Sequence, residues 1–300
     1  MQKEKLKGHL AIAAAYTIFG LNVVFNKDIA NAAVISPMVL FTLRAIGASA
    51  IFWLVSFFLP EEKVPKEDLP RIALASMVGL FIPQLTFLYA ITMSTAIDTT
   101  IMGTLGPIFT MIFAFFFLKE PITLKKAGGV ALSFAGVLFL IFNSVYSGGA
   151  SSSSVTGIAL LLINSISFSM YLGVFRPLIS RYSVVTFMKW TFLFALLASL
   201  PFSLGGLLKT DFSIISPKVW MEIGFLIIFA TFVAYFLIPL GQKRIRPTLV
   251  SLYAYIQPVI AAGISIMTGI DTLNWQKIAA IVLIAGGVVT VSFSRAAPGE

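Results

Sequence analysis

Asn22, Arg44, Gln84, Tyr89, Asn164, Tyr171, Trp190, Tyr253 and Gln257 each stand inside a long apolar run. These are hydrogen-bonding, charged and stacking groups, not an array of nucleophiles. In hydrocarbon they are costly unless they face one another or a wet cavity. The chemistry they offer is recognition. Amides donate and accept, a guanidinium takes an anion, and rings stack. For any one Asn, Gln or Thr, a hydrogen bond between helices, worth about 0.6 kcal/mol, explains the residue as well as a ligand does. The set as a whole reads as the lining of a hydrated cavity, and these nine are the candidate substrate-binding residues.

Arg44 lies about eight residues into its apolar run, roughly 12 Å along a helix. That is too deep for easy snorkelling. It could bind an anionic group or neutralise carbonyls freed by a broken helix. Lys189 sits nearer a segment edge, where its stem can reach the interface. Pro107 and Pro258 fall near the middle of two segments and should bend them. They are candidate hinges, with a static kink as the alternative.

Catalysis finds little support. The only histidine, His9, stands at the entry of the first apolar segment, so no Ser–His pair is expected at depth. Asp28, Asp98, Glu120, Glu222 and Asp271 all fall near segment ends. There is no cysteine and no cluster suited to a metal, so neither metal nor cofactor is expected. The stretch Gly205–Thr210 has the wrong spacing for a phosphate-binding loop. A channel remains the harder rival.

Elements of one kind can position these residues. The chain is 58% hydrophobic and 11% charged, with mean hydropathy +0.98, too few charges for a water-facing surface. Runs near 20 residues match the hydrocarbon thickness. Ten are expected: 9–27, 36–59, 71–92, 97–118, 126–143, 157–175, 184–206, 218–239, 248–268 and 276–293. The fold class is all-α integral membrane. The N-terminus resembles a signal peptide but reads as an uncleaved first helix.

Residues 90–142 repeat as 241–293 at an offset of 151, with Pro107 on Pro258, Lys126 on Lys277 and Gly136 on Gly287. Gly8, Phe19 and Lys27 correspond to Gly157, Phe168 and Arg176 at an offset of 149. Residues 1–146 and 157–300 are then two five-helix repeats joined by a flexible linker, 147–156. Five spans per copy require the second copy to be inverted, and equivalent loops do carry opposite charge character. Such a plan suits a secondary transporter working by alternating access.

The formal net charge is +9, yet it reports orientation, not nucleic-acid binding. With the N-terminus cytoplasmic, only Lys27, Lys209, Lys218 and Lys277 fall on the far side. Nearly all other Lys and Arg stay on the cytoplasmic side, as the positive-inside rule requires. Both termini are then cytoplasmic, in a multi-pass plasma membrane protein such as one of a bacterial inner membrane. The expected partners are the lipid bilayer and a small-molecule substrate. Spans five and ten carry few polar groups. The small face of Ala127, Ala131 and Ala135 suits them to scaffold or homodimer contact.

Taken together, these residues resemble the drug/metabolite transporter superfamily, EamA type. The resemblance rests on Phe19-Gly20, Asn22, Lys27, Pro37, Arg44, Leu105-Gly106-Pro107-Ile108-Phe109 and Leu118-Lys119-Glu120. It continues with Thr123, Gly128, Gly136, Gln257-Pro258-Val259, Asp271, Leu273 and Gly286-Gly287. The family usually has Trp-Gly at Phe19-Gly20, and often Gly-Glu at Lys119-Glu120 and Ile270-Asp271. The resemblance implies ten helices around a central cavity and export or exchange of amino acids, metabolites or drugs. Amino acids or similar zwitterions and anions are the first expectation, with drugs or aromatic metabolites as the alternative. No carboxylate is evident at depth, so exchange or facilitated diffusion is expected, with proton coupling through Asp98 or Glu222 as the rival.

Overall fold

The computed structural model describes residues 2–94, 99, 102–145, 154–267 and 275–293. Asp98, Ile270, Asp271 and most of the 147–156 segment lie outside these. Among the described residues the regular structure is helical. The rods are α1 (Gln2–Ala32), α2 (Pro37–Phe57), α3 (Leu69–Met93), α4 (Gly106–Leu118), α5 (Leu124–Val145) and α6 (Val155–Val174). Then come the short α7 (Arg176–Arg181), α8 (Val184–Lys209), α9 (Pro217–Gln242), α10 (Pro247–Leu252), α11 (Ile256–Met267) and α12 (Trp275–Ser292). α1, α2, α3, α6, α8 and α9 are long and apolar enough to cross a membrane. Helix is the required form because hydrocarbon offers no partner to a free backbone group.

Local residues mark the boundaries. Ser36, Ser154, Ser183 and Ser216 each accept a bond from the amide three residues on, at Val39, Gly157, Thr186 and Val219. These are N-caps, and Pro37 and Pro217 follow two of them where a missing N–H costs nothing. Ala33 and Lys119, both with positive φ, end α1 and α4.

Two rods loosen midway into π-helix, α3 at Met77–Phe81 and α9 at Leu226–Val233. Such bulges leave carbonyls short of donors. In α3, Pro83 brings no N–H, and the carbonyl five residues back, Val78, accepts instead from Ser167 Oγ of α6 at 2.7 Å. The space beside Val78 is tight: a Cβ on Gly79 would run into the Tyr171 ring. In α9, Thr231 Oγ1 donates to Leu226 O at 2.6 Å and accepts from Arg44 Nε at 2.8 Å.

The prolines expected to kink mid-span do something else. Pro107 opens α4 after a turn at Thr104–Leu105. Pro258 lies in the first turn of α11, just after the 3-10 turn Tyr253–Tyr255. At the start of a helix a proline gives up a bond that the helix did not need.

α5 and α12 pack on each other within one chain. The contact face is not the alanine stripe: Ala131 and Ala135 are exposed. Gly129, Ser133 and Gly136 make it, with Ser133 Oγ donating to Ile284 O at 3.1 Å. A Cβ on Gly287 would collide with the Gly129 carbonyl, so the small residues set the approach.

The turns gather at two ends. At one, Arg244 Nε bonds Glu4 Oε2 at 3.0 Å, Lys243 Nζ reaches Tyr182 O, and Ser183 N donates to Glu62 Oε2 at 2.9 Å. Tyr182 Oη donates to Asp68 Oδ2 at 2.5 Å, with Arg181 Nη1 3.4 Å from the same oxygen. The Tyr182 bond, then Arg181, holds the Asp68 carboxyl below its usual range. Burial, then Asp68, pushes the Tyr182 phenol up to about 12. Burial also pushes the Lys243 ammonium down. Nearby, the buried Glu120 accepts from Thr248 Oγ1 at 2.8 Å and lies 3.4 Å from Lys126 Nζ. At the opposite end, Lys27 Nζ donates to Ile91 O at 2.9 Å and Ser94 O at 3.1 Å. Lys218 bridges Asp28 at 3.1 Å and Glu222 at 3.4 Å.

Candidate functional site

Between these ends lies a cavity of about 130 Å³. Tyr16, Phe19 and Asn22 of α1 face it, with Gln84 and Phe87 of α3. α4 brings Gly106 and Thr110, and α6 brings Asn164, Ser165, Phe168 and Ser169. Tyr235 of α9, then Ser251, Ala254 and Gln257, close the ring. Among the described residues, no charged side chain lines the cavity.

Hydrogen bonds aim these groups. Gln84 Nε2 donates to Tyr235 Oη at 3.0 Å, which leaves the phenolic proton and Gln84 Oε1 for another partner. Asn164 Nδ2 donates to Pro83 O at 2.6 Å, so its Oδ1 is the acceptor left over. Ser169 Oγ donates to Gly106 O at 2.9 Å and ties α6 to the start of α4. The hydroxyls of Thr110 and Ser165 are buried without a partner among the described residues. An unpaired buried hydroxyl costs about 1–3 kcal/mol, so these two gain most from a polar ligand. On one side Tyr16, Phe19 and Tyr235 form an edge-to-face chain with ring centroids 5.7 Å apart. The site can thus hold a small molecule by neutral hydrogen bonds at one side and by ring faces at the other.

The pattern of the EamA-like transporter family matches the chain twice, over residues 6–142 and 155–293. The chain belongs to the EamA-like transporter family. This EamA-like chain is similar to the uncharacterized transporter YetK of Bacillus subtilis, 23% identical over 99% of this chain and 90% of that one. It is also similar to an uncharacterized transporter of Clostridium kluyveri, 23% identical over 97% and 95%. The uncharacterized inner membrane transporter YicL of Salmonella typhimurium is 26% identical over 87% of each chain. One solved crystal structure matches with a TM-score of 0.77 over 97% of both chains at 17% identity, which speaks for the fold alone. The EamA-like chain is therefore a multi-span membrane protein of a transporter family.

Of the nine residues expected from sequence, Asn22, Gln84, Asn164 and Gln257 line the cavity. The other five are elsewhere. Arg44, 1% exposed, braces the π segment of α9 one helical turn from Tyr235. Tyr89 is 36% exposed on the outside of α3. Tyr171 is packed between Phe168 and Phe175. Trp190 meets Trp53 edge-on, with Lys189 Nζ 4.9 Å over the Trp53 ring. Tyr253 Oη lies 2.8 Å from His9 Nδ1. Sequence reasoning missed Tyr16, Thr110, Ser165, Ser169 and Ser251. Tyr235 had a signal: it stands 151 residues after Gln84, its bonding partner.

Proposed function

We propose that this EamA-like chain carries small polar solutes, amino acids and related zwitterions foremost, across the plasma membrane by export or exchange. The mechanism is alternating access between two inverted five-helix halves, 1–146 and 157–300, with both termini cytoplasmic. The observation that carries the reading is the cavity to which both halves contribute, lined among the described residues by amides, hydroxyls and rings and by no charged side chain. A zwitterion needs several donors and acceptors but no net countercharge.

Three further observations support the inverted plan. The family pattern matches each half separately. Gln84 bonds Tyr235, and Ser133 bonds Ile284, each across 151 residues. Positions that correspond in the repeat and also touch belong beside the axis relating the halves. The π segments of α3 and α9 overlap at the same offset. The basic end, with Lys243, Arg244 and Arg246, suits the cytoplasmic side. The Salmonella relative is named an inner membrane transporter, which agrees with a bacterial inner membrane.

Arg44 acts here as a brace, not a substrate anchor. Pro107 and Pro258, at helix starts beside the cavity, serve as hinges. Glu222 is paired with Lys218 and does not line the cavity, which speaks against proton coupling through Glu222, while Asp98 lies outside the described residues; exchange or facilitated diffusion stays the first reading. A second reading, aromatic metabolites or drugs, is favoured by Tyr16, Phe19, Phe87 and Phe168 on the wall.

A radiolabelled uptake panel in proteoliposomes tests this. Amino acids are expected to enter, and Gln84→Leu to cut the rate at least tenfold. Uptake confined to apolar aromatics would replace the first reading with the second, and no uptake of either would reject both.

A further inference from the structure

A second pocket, about 400 Å³, lies at the end away from the basic turns. Asn26, Ser36, Leu40, Leu88, Ile91 and Thr92 line it, from α1, α2 and α3. Asn26 is only 1% exposed. Its Nδ2 donates to Asn22 O at 2.7 Å and to Asn22 Oδ1 at 2.9 Å. Both of those atoms are acceptors, so the amide cannot be turned over. Its Oδ1 is buried with no partner among the described residues. Asn22 lines the central cavity and Asn26 lines this pocket. The bonded pair thus links the lining of one cavity to the lining of the other across one helical turn, about 6 Å along the helix.

The matching place at the basic end is built otherwise. Lys27 fastens α1 to Ile91 O, and Arg176, 149 residues on, fastens to Gln242 O at 3.0 Å. The fastening is alike, but the filling differs. At the same offset Asn22 and Asn26 become Tyr171 and Phe175, which stack with centroids 6.3 Å apart. Around them Ile179 and Ile238 are fully buried. One end has an aromatic plug and the other an amide pair over an open pocket.

We propose that this pocket is a water-filled vestibule of the transport path, and that the Asn22–Asn26 pair is its polar gate to the central cavity. Its ligand is a small solute with an N–H or O–H donor, which Asn26 Oδ1 accepts on the way through. The proposal rests on the carrier reading for its purpose, not for its geometry.

The chain has no cysteine, so single-cysteine variants report water directly. In nanodiscs, with both faces open, a hydrophilic methanethiosulfonate is applied to Ala30→Cys and Leu88→Cys in the pocket. The controls are the buried Ile179→Cys, 149 residues from Ala30, and the outward-facing Leu54→Cys, 59% exposed in the bare chain. The pocket positions are expected to react at least tenfold faster than both controls. Equal rates would overturn the vestibule. Labelling of Gln257→Cys in the central cavity should then rise at least fivefold when Asn26 becomes Ala, and rise less with Asn26→Ser. An unchanged rate in both backgrounds would overturn the gate. None of these readouts needs a transported solute. A labelled vestibule with no uptake of any solute would therefore reject the carrier and keep the pocket, while uptake with an unlabelled pocket would do the reverse.

Discussion

At the basic end, Glu120 meets Thr248 and Lys126 with its side chain 4% exposed and that of Lys126 1% exposed. At the opposite end, the ion pair that reaches across the chain is Lys218–Asp28, with side chains 68% and 44% exposed. Both are ion pairs near 3 Å, yet they are not alike in strength. Water and salt screen an exposed pair to about 0–1 kcal/mol. A buried pair is held by the charge that losing either partner would strand. The basic end adds Asp68 with Tyr182 and Arg181, and Glu62 with Ser183. The opposite end adds a pocket. Among the described residues, the buried polar contacts gather at the basic end and the exposed pair and open pocket at the other, so the basic end is expected to be the harder to open.

The largest effect is expected from Glu120→Ala. It breaks a buried ion pair by removing one partner and should cost about 3–5 kcal/mol, read as a large drop in melting temperature in detergent. A drop no greater than that of Asp28→Ala would erase the contrast. Next is Tyr182→Phe, which removes a hydrogen bond to a carboxylate and should cost about 1.5–3 kcal/mol. Matching loss on changing Thr92, a pocket residue, would break the comparison again.

Acid should act on the same end. The Asp68 carboxyl is held below its ordinary value by Tyr182, then Arg181. Its contribution to stability is complete above the unfolded carboxylate range and is lost as pH falls through the lower folded value. Melting temperature against pH should therefore decline in that acid window, and Asp68→Asn should flatten the decline. An unaltered profile would remove Asp68 from the latch. The smallest effect is expected from Lys218→Ala, a barely altered melting temperature because water and salt screen the exposed pair, with labelling of Ala30→Cys unchanged.

Much of the helix plan was legible beforehand. Ser36-Pro37 and Ser216-Pro217 announce helix starts by cap chemistry, and α2 and α9 begin there. The four amides of the candidate site were legible too, because an amide such as Asn164 in an apolar run needs a polar neighbour. Arg44 found a polar neighbour elsewhere, at a π bulge, while Tyr171 and Trp190 were placed by ring packing. Nothing in their spacing tells a cavity from a packed partner. The π segments were invisible because Met77–Phe81 and Leu226–Val233 are ordinary apolar helix formers. They loosen only where Ser167 and Arg44 supply donors to groups in their path.

Residue order alone decided that the chain forms membrane-length helices, where serines and prolines begin them, and that 151 residues separate like from like. It did so because hydrophobic length and capping are local. Only the packed helices decided that Gln84 meets Tyr235, that Asn22 lines one cavity while its partner Asn26 lines another, and that Glu120 and Lys126 are buried together. Those outcomes depend on the rotation of each helix about its axis. That rotation follows from side chains on several neighbours at once, which no single segment encodes.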